Sequence, residues 1–201
     1  MKHPLIVICG KKRSGKDFCA KILSDYYGFD TYQLASPIKR ALWANQPNFI
    51  LSLDDFDGNG FDREKPLGYT AKAAQNWLQD AIYSLGFYPT PDSFSGLESL
   101  TIRQAMQVLG KAVVDSQKDY FTCRVPTTKP IIVTDCRMQH EYDYFRARGA
   151  KFIHVSGLDY TFKDNDYSER GLQPMSGDLV VMNDYTPAFV RVVLNKLTEW
   201  A

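Results

Sequence analysis

The sequence predicts an α/β protein with a mostly parallel five-stranded sheet flanked by helices. Five short apolar runs alternate with amphipathic helical patterns, which is typical of a parallel sheet that is covered on both faces. A glycine-rich segment lies between the first apolar run and the first helical pattern. A chain of 201 residues supports one sizeable core and is short for two ordinary domains. We therefore expect a single domain over residues 1–201.

The strand candidates are short, and most of them are rich in β-branched or aromatic residues. They cover residues 5–9, 31–34, 131–134, 151–155 and 178–182. Residues favoured as N-caps or at the first helical position mark the helix starts. Helices are predicted over 36–43 and from Thr70 to about residue 86, and two more are predicted to begin at Thr101 and Thr186.

Apolar spacing also predicts which side of a helix is buried. The helix that follows the glycine-rich segment is expected to bury a face made of Phe18, Ile22, Leu23 and Tyr26. The last helix is expected to bury a face that carries Val190, Leu194 and Leu197.

The glycine-rich segment, residues 10–17, reads Gly-Lys-Lys-Arg-Ser-Gly-Lys-Asp. Its two glycines allow a tight turn whose backbone N–H groups converge on a phosphate, and the following helix N-terminus adds partial positive charge. The pattern predicts a P-loop in which Lys16 neutralises the β- and γ-phosphates of a nucleoside triphosphate. The alternative is a glycine-rich turn with a solvated basic cluster. The predicted nucleotide-binding residues are Gly10, Lys12, Arg13, Ser14, Gly15, Lys16 and Asp17.

Two carboxylates are candidates for a magnesium site. Asp17 stands where a P-loop usually has a Ser or Thr hydroxyl that ligates Mg²⁺, so it is expected to bind the ion or to orient the acceptor. Asp135 ends an apolar strand, as the acid that holds Mg²⁺ does in many P-loop proteins. Its alternative role is to cap the next helix, since Asp is a favoured cap.

Phosphoryl transfer between two anions requires positive charge at both ends of the transferred group. Arg137 follows Asp135 closely, and it either pairs with that carboxylate or clamps an acceptor phosphate. Arg63 lies among carboxylates, so a salt-bridged surface role is its alternative. The predicted acceptor-binding residues are Lys39, Arg63, Arg103, Gln104, Asp135 and Arg137. The predicted catalytic residues are Lys16, Asp17, Arg63 and Arg137.

Three polar stretches are predicted to be loops: residues 45–69, 87–99 and 157–176. Long loops in a compact α/β domain are usually functional. We expect an acceptor-binding region at about 36–125. A lid is expected at about 157–176, where Lys163 and Arg170 supply cations that close over the transferred phosphate.

Composition excludes several other classes of protein. A net charge of +1 argues against a partner that is a nucleic acid polymer, and no apolar run approaches the length of a membrane span. The four cysteines lack metal-site spacing and are expected to be reduced packing residues. We expect a cytoplasmic protein. The aromatic residues Trp43, Trp77 and Tyr83 are expected in the core or at an interface, so a homodimer is possible.

Six segments carry a resemblance to the deoxynucleoside monophosphate kinases of tailed bacteriophages, and they extend over almost the whole chain. The resemblance implies a P-loop kinase fold, ATP with Mg²⁺ as donor and a deoxynucleoside monophosphate (dNMP) as acceptor, in the host cytoplasm if the protein is phage-encoded. By position it assigns Lys16 and Asp17 to the phosphate and metal site, and four other residues to the acceptor or catalytic groups: Arg63, Arg103, Asp135 and Arg137. The six segments are Gly10-Lys-Lys-Arg-Ser-Gly-Lys-Asp17, Tyr32-Gln-Leu-Ala-Ser-Pro-Ile-Lys39, Phe61-Asp-Arg-Glu64, Arg103-Gln-Ala-Met-Gln-Val-Leu-Gly110, Asp135-Cys-Arg-Met-Gln-His-Glu141 and Gly177-Asp-Leu-Val-Val-Met-Asn-Asp184.

Two other functions remain open at this stage. The loop, the Asp-x-Arg at a strand end and the late Gly-Asp segment are similar to those of animal-type phosphomevalonate kinases, which share the donor chemistry and differ in acceptor. A nucleotide-hydrolysing binding module without an acceptor would need the same loop.

Overall fold

A computed structural model describes residues 4–11, 14–88, 94, 97, 99–157 and 172–198. Its strands are β1 (Leu5–Cys9), β2 (Asp30–Tyr32), β3 (Ile131–Cys136), β4 (Lys151–Gly157) and β5 (Leu179–Asn183). Its helices are α1 (Lys16–Tyr27), α2 (Ser36–Ala44), α3 (Leu53–Asp57), α4 (Ala71–Ser84), α5 (Ile102–Ser116), α6 (Gln139–Ala147) and α7 (Pro187–Thr198), with a short 3-10 helix at Thr122–Arg124.

Contacts between residues divide the chain into two compact units. The first unit, here the sheet unit, combines Met1–Leu34 with Thr122–Ala201, and the second, the helical unit, is Ala35–Phe121. Within the described residues, none of the helices is both long and apolar enough to span a membrane.

The sheet unit contains five strands in the order β2-β3-β1-β4-β5, and every described pair of neighbouring strands is parallel. This confirms the predicted fold class. All five strands lie within three residues of their predicted bounds, and β1 matches them at both ends. A parallel sheet brings the carboxyl ends of its strands to one edge, so β1, β3 and β5 end on the same side.

One face of the sheet packs against α1 and α7. Branched side chains of β1, β3, β4 and β5 meet apolar residues of α1 and α7 there. This core cluster comprises Ile6, Ile8, Cys19, Ala20, Leu23, Ile132, Ile153, Val155, Leu179, Val181, Phe189 and Val193.

The predicted buried faces of α1 and α7 were partly wrong. Phe18 and Tyr26 of α1 are 50% and 68% exposed, because the helix turns its small residues Cys19 and Ala20 to the sheet, which lets it approach closely. The ring of Phe18 instead stacks on Phe189, with 6.1 Å between centroids. In α7 the buried residues are Phe189 and Val193, while Val190 and Leu194 are half-buried. The side chain of Leu197 lies outside the described residues.

Two helices were not among those predicted. α3 lies inside the predicted loop 45–69 and begins with a capping box formed by Ser52 and Asp55. α6 follows β3 in the sheet unit and buries Glu141, Tyr142 and Phe145.

The helical unit is built around contacts among α2, α4 and α5. Trp77 of α4 is 1% exposed, and its indole N–H donates to the carbonyl oxygen of Leu42 in α2 at 2.8 Å. A Cβ on Gly110 of α5 would lie 3.1 Å from Ile38 Cδ1, so glycine permits a close helix crossing. Trp43 and Tyr83 are 43% and 44% exposed, which places only Trp77 of these three aromatic residues in the core.

Truncating Trp77 should destabilise the protein strongly. We expect Trp77→Ala to lower the free energy of unfolding by about 3–5 kcal/mol, because it leaves a cavity and an unpaired Leu42 carbonyl. The matched variant Trp43→Ala, at a half-exposed position, should cost no more than about 1 kcal/mol. Urea unfolding followed by circular dichroism measures both values, and equal losses would contradict this account of the helical core.

Candidate phosphate-binding site

The loop between β1 and α1 has a backbone that only glycine permits at two positions. Gly10 and Gly15 have φ values of 153° and 93°. A Cβ on Gly10 would lie 2.7 Å from Ser14 Oγ and would also collide with the carbonyl oxygen of Val155. A Cβ on Gly15 would collide with the side-chain amide of Asn183. Both glycines therefore let neighbouring groups approach the loop closely.

Lys16 is the first residue of α1, and its side chain is buried against the loop. Its ammonium donates to the carbonyl oxygen of Lys11 at 2.6 Å. The backbone N–H of Ser14 donates to the same oxygen at 3.2 Å. A positive charge is thus held across the loop that joins β1 to α1, which is where a bound phosphate would need it.

Two further features of the loop suit an anion. The hydroxyl of Ser14 is buried and has no hydrogen-bond partner among the described residues. Such buried polar groups are rare, and a phosphate oxygen would satisfy this one. The N-cap of α1 is Gly15, which offers no side chain to its first N–H groups. These N–H groups and the helix dipole attract a negative charge, so the residues fit a phosphate group.

Several predicted site residues lie outside the described residues: Lys12, Arg13, Lys163 and Arg170. Asp17 is described, and it lies exposed in the first turn of α1, next to Lys16.

Asp135 lies near the end of β3 and does not cap α6. Its Oδ1 accepts a hydrogen bond from the backbone N–H of Leu34 at 2.6 Å, which ties β3 to the residues that follow β2. The carboxylate at the start of α6 belongs to Glu141. Its Oε2 accepts from the backbone N–H groups of Arg137 and Met138 at 2.8 and 3.0 Å.

Glu141 is buried, and burial raises its pKa to about 7, although the two backbone hydrogen bonds oppose that rise. By holding two consecutive N–H groups, its side chain fixes the backbone that carries Arg137. The sequence signal for this role was weak. Glutamate at the third helical position usually marks a capping box, but the partner position holds Met138 in place of Ser or Thr.

Asp17 and Asp135 present the oxygen donors that Mg²⁺ prefers. Among the described residues there is no group of three or more His, Cys, Asp or Glu that could hold a metal ion. The carboxylates of Asp17 and Asp135 would suffice for Mg²⁺ in a nucleotide site, because the ion usually keeps several waters and binds one or two carboxylates together with phosphate oxygens.

Two of the predicted acceptor cations come together in the helical unit. The backbone N–H of Arg103 donates to the carbonyl oxygen of Arg63 at 3.1 Å, although the residues are far apart in sequence. The guanidinium of Arg63 donates to the carbonyl oxygen of Phe56 at 3.1 Å and lies against Gly58, where a Cβ would be 3.0 Å from its Nε. Arg103 Nε lies 3.6 Å from a carboxylate oxygen of Glu64.

The other two predicted acceptor residues of this unit are engaged locally. Lys39 of α2 is buried and forms an ion pair with Asp57. Gln104 forms a capping box with Thr101, in which its Oε1 accepts the Thr101 N–H at 3.0 Å. The side-chain amide oxygen of Gln104 is therefore occupied at the start of α5.

Asn183 contacts the phosphate loop, although the sequence pattern predicted no individual role for it. Its side-chain amide donates to the carbonyl oxygen of Ser14 at 3.1 Å. The available signal was an Asn directly after the fifth predicted strand, but the pattern does not reveal a partner near the other end of the chain.

The chain was compared with known proteins. The family model described as deoxynucleotide monophosphate kinase matches residues 4–96 and 90–189. The deoxynucleotide monophosphate kinase of Enterobacteria phage T4 is 32% identical to this chain, and the match covers 90% of this chain and 92% of that protein. The enzyme of the same name from Escherichia phage RB69 is also 32% identical, and the match covers 90% of this chain and 93% of that protein.

Among solved structures, an unliganded sugar kinase from Janibacter sp. HTCC2649 aligns with 98% of this chain and 94% of its own, at 13% identity and a TM-score of 0.41. That likeness is weak, and nothing further follows from it. The family match and the two phage relatives confirm the predicted resemblance. The chain belongs to the deoxynucleotide monophosphate kinase family.

Proposed function

We propose that this protein transfers the γ-phosphoryl group of ATP to the 5′-phosphate of a dNMP and releases ADP and a deoxynucleoside diphosphate. The observation that carries the proposal is the glycine loop with the buried Lys16 ammonium held across it. Family membership and the printed names of the T4 and RB69 relatives support the class of acceptor.

On the donor side, the N–H groups of the loop and of the α1 N-terminus bind the phosphates of ATP. The Ser14 hydroxyl supplies one further donor, and Lys16 exchanges its Lys11 carbonyl partner for phosphate oxygens. These groups are in place before the reaction, so they stabilise the charge that develops on the leaving ADP without reorganising.

Asp17 and Asp135 are the proposed ligands of Mg²⁺, directly or through water. When bound, the ion offsets the negative charge shared by the β- and γ-phosphates. The hydrogen bond from Leu34 orients the carboxylate of Asp135 at the end of β3. Asp17 lies in the first turn of α1, at the helix end that is proposed to bind the phosphates.

On the acceptor side, the helical unit Ala35–Phe121 is the proposed binding region, which is close to the predicted range of about 36–125. Arg63 and Arg103 bind the acceptor phosphate there, with Lys39 and Gln104 as further predicted contacts. Arg137 is the proposed acceptor-binding and catalytic cation of the sheet unit, where Glu141 holds its backbone. The lid at about 157–176, with Lys163 and Arg170, stays a prediction.

The reaction itself needs no covalent intermediate with the protein. An oxygen of the acceptor phosphate forms a bond to the γ-phosphorus, the bond to the β–γ bridging oxygen breaks, and that oxygen leaves with ADP. The arginine and lysine side chains that bind the phosphates offset the repulsion between the acceptor dianion and the triphosphate. The proposed compartment is the cytoplasm, that of the host if the protein is phage-encoded. The homodimer also stays a prediction.

The choice of acceptor is tested with a panel. We expect ADP release in a coupled assay to accelerate on addition of one or more of the four dNMPs, and to stay at its basal rate with phosphomevalonate or without acceptor. Turnover that depends on phosphomevalonate alone would replace the proposed acceptor. Turnover that no acceptor changes would indicate a hydrolysing module.

Replacing Lys16 removes the cation that the proposed donor site requires. We expect Lys16→Met to lower kcat/KM by about 100-fold or more, the scale seen when one preorganised transition-state contact is lost. Lys21→Met is the matched control, because Lys21 is an exposed residue of the same helix that pairs with Asp25 at 2.7 Å. The control should stay within about twofold of the wild type. Full activity of Lys16→Met would contradict the mechanism.

Replacing Asp17 separates its two predicted roles. If it binds the metal, Asp17→Asn should raise the Mg²⁺ concentration for half-maximal activity by about tenfold, and Asp17→Ser, which restores a hydroxyl ligand, should lose less. If it orients the acceptor, the KM for dNMP should rise while the Mg²⁺ titration stays unchanged. Asp25→Asn, at an exposed site of the same helix, is the control for the change in charge. Wild-type behaviour in both titrations would exclude both roles.

A further inference from the structure

The side chain of Asn183 joins two parts of the sheet unit that are distant in sequence. Asn183 is the last residue of β5 and is 3% exposed. Its Nδ2 donates to the Ser14 carbonyl oxygen at 3.1 Å, and its Oδ1 accepts from the backbone N–H of Tyr185 at 2.9 Å. One amide therefore bridges the phosphate loop and the turn that leads into α7.

The contact with the loop is close as well as polar. Gly15 has a left-handed φ of 93°, and a Cβ built there would collide with the amide of Asn183. The side chain of Asn183 thus occupies the space that the missing Cβ leaves. Any residue larger than glycine at position 15, or a bulkier one at position 183, would push the loop and β5 apart.

The hydrogen bond also fixes the direction of a peptide group. In a trans peptide the C=O and the following N–H point in opposite directions, so a Ser14 carbonyl that points at Asn183 directs the Gly15 N–H away from Asn183. If the amide donor is removed, the buried Ser14 carbonyl oxygen loses this hydrogen bond. It could then turn toward the loop interior, where a carbonyl oxygen repels phosphate.

The turn after Asn183 is held by the same amide. Tyr185 has a φ of 58°, a left-handed conformation that costs a non-glycine residue of the order of 1 kcal/mol. Its hydroxyl lies close to the loop region, since a Cβ on Gly157 would be 2.6 Å from it and 3.4 Å from Ser14 Cα. The bond from the Tyr185 N–H to Asn183 helps to offset that cost.

We propose that Asn183 is a positioning residue for the donor nucleotide: its amide holds the Ser14–Gly15 peptide in the orientation that binds phosphate, and so sets the affinity for ATP. It does this through the loop and without touching the substrate. The inference rests on the proposed function, in which this loop binds MgATP.

Two substitutions test the role of the amide. Asn183→Ala adds no bulk and no charge, and it removes both hydrogen bonds. Asn183→Asp keeps the oxygen that accepts from Tyr185 and removes the donor to Ser14. Asn195→Asp is the control for the added charge, because Asn195 is exposed on α7 in the same unit. If Asn183→Ala does not fold, Asn183→Ser, which also lacks the amide, takes its place as the neutral variant.

Calorimetric titration gives the Kd for MgATP, and initial rates give the KM for ATP and for dNMP. We expect both Asn183 variants to raise the Kd and the KM for ATP by about tenfold, the effect of one lost buried hydrogen bond, while the KM for dNMP stays within about twofold. The control should match the wild type. Thermal unfolding without ligand reports how far each variant is destabilised.

Three results would overturn the inference. An unchanged Kd for MgATP in the folded variants would show that the loop does not need the amide. A loss confined to Asn183→Asp would assign the effect to charge. A parallel rise in both KM values with a large drop in unfolding temperature would indicate a merely structural role. If the wild type itself does not bind MgATP, the proposed function fails, and this inference fails with it.

Discussion

The structure depends on how the carbonyl groups of the phosphate loop are held. A loop that presents N–H groups to an anion must direct the matching carbonyl oxygens elsewhere, because each peptide carries both. The Lys11 carbonyl accepts from Lys16 and from the Ser14 N–H, while the Ser14 carbonyl accepts from Asn183. The loop is therefore set by groups around it as much as by its glycines. Val155 and Asn183, which close against Gly10 and Gly15, come from β4 and β5.

This arrangement requires that β5, an edge strand, be held in place. Just before its amino end, the side chain of Asp178 is buried and accepts hydrogen bonds from the Met175 N–H at 2.9 Å and from Tyr142 and Arg146 of α6. Nε2 of His154 in β4 lies 3.1 Å from Asp178 Oδ2. Burial alone would raise the pKa of Asp178, but these hydrogen bonds hold it below its usual value. Removing Arg146 would leave the Asp178 carboxylate buried without its cation, which is costly, so this ion pair ties α6 to the start of β5. Asn183 then acts at the carboxyl end of a strand that is already anchored.

The sequence could predict the parts of this fold that depend on local pattern. Both ends of β1 were predicted because an apolar run lies between Pro4 and Gly10. The P-loop was predicted because its two glycines and Lys16 have the spacing that is typical of such loops. The face that α1 packs against the sheet could not be predicted in the same way. Small residues such as Cys19 and Ala20 are favoured against a sheet even where larger apolar residues lie nearby. Glu141 and Asn183 were missed as loop supports for another reason. Their partners are backbone groups, and a backbone group leaves no trace in the sequence of residue types.

The donor and acceptor sites of the proposed transfer differ in the same way, because one depends on local sequence pattern and the other on tertiary packing. In the proposed mechanism the triphosphate is bound mainly by backbone N–H groups and one lysine, so the donor site can be recognised wherever the loop sequence occurs. The guanidinium groups proposed to bind the acceptor phosphate have positions that depend on tertiary contacts. The backbone N–H of Arg103 donates to the carbonyl oxygen of Arg63, and Gly58 makes room for the Arg63 side chain. Selection among acceptors therefore depends on packing within the helical unit. Substitutions there can change the acceptor while the phosphate loop, and with it the donor chemistry, stays the same.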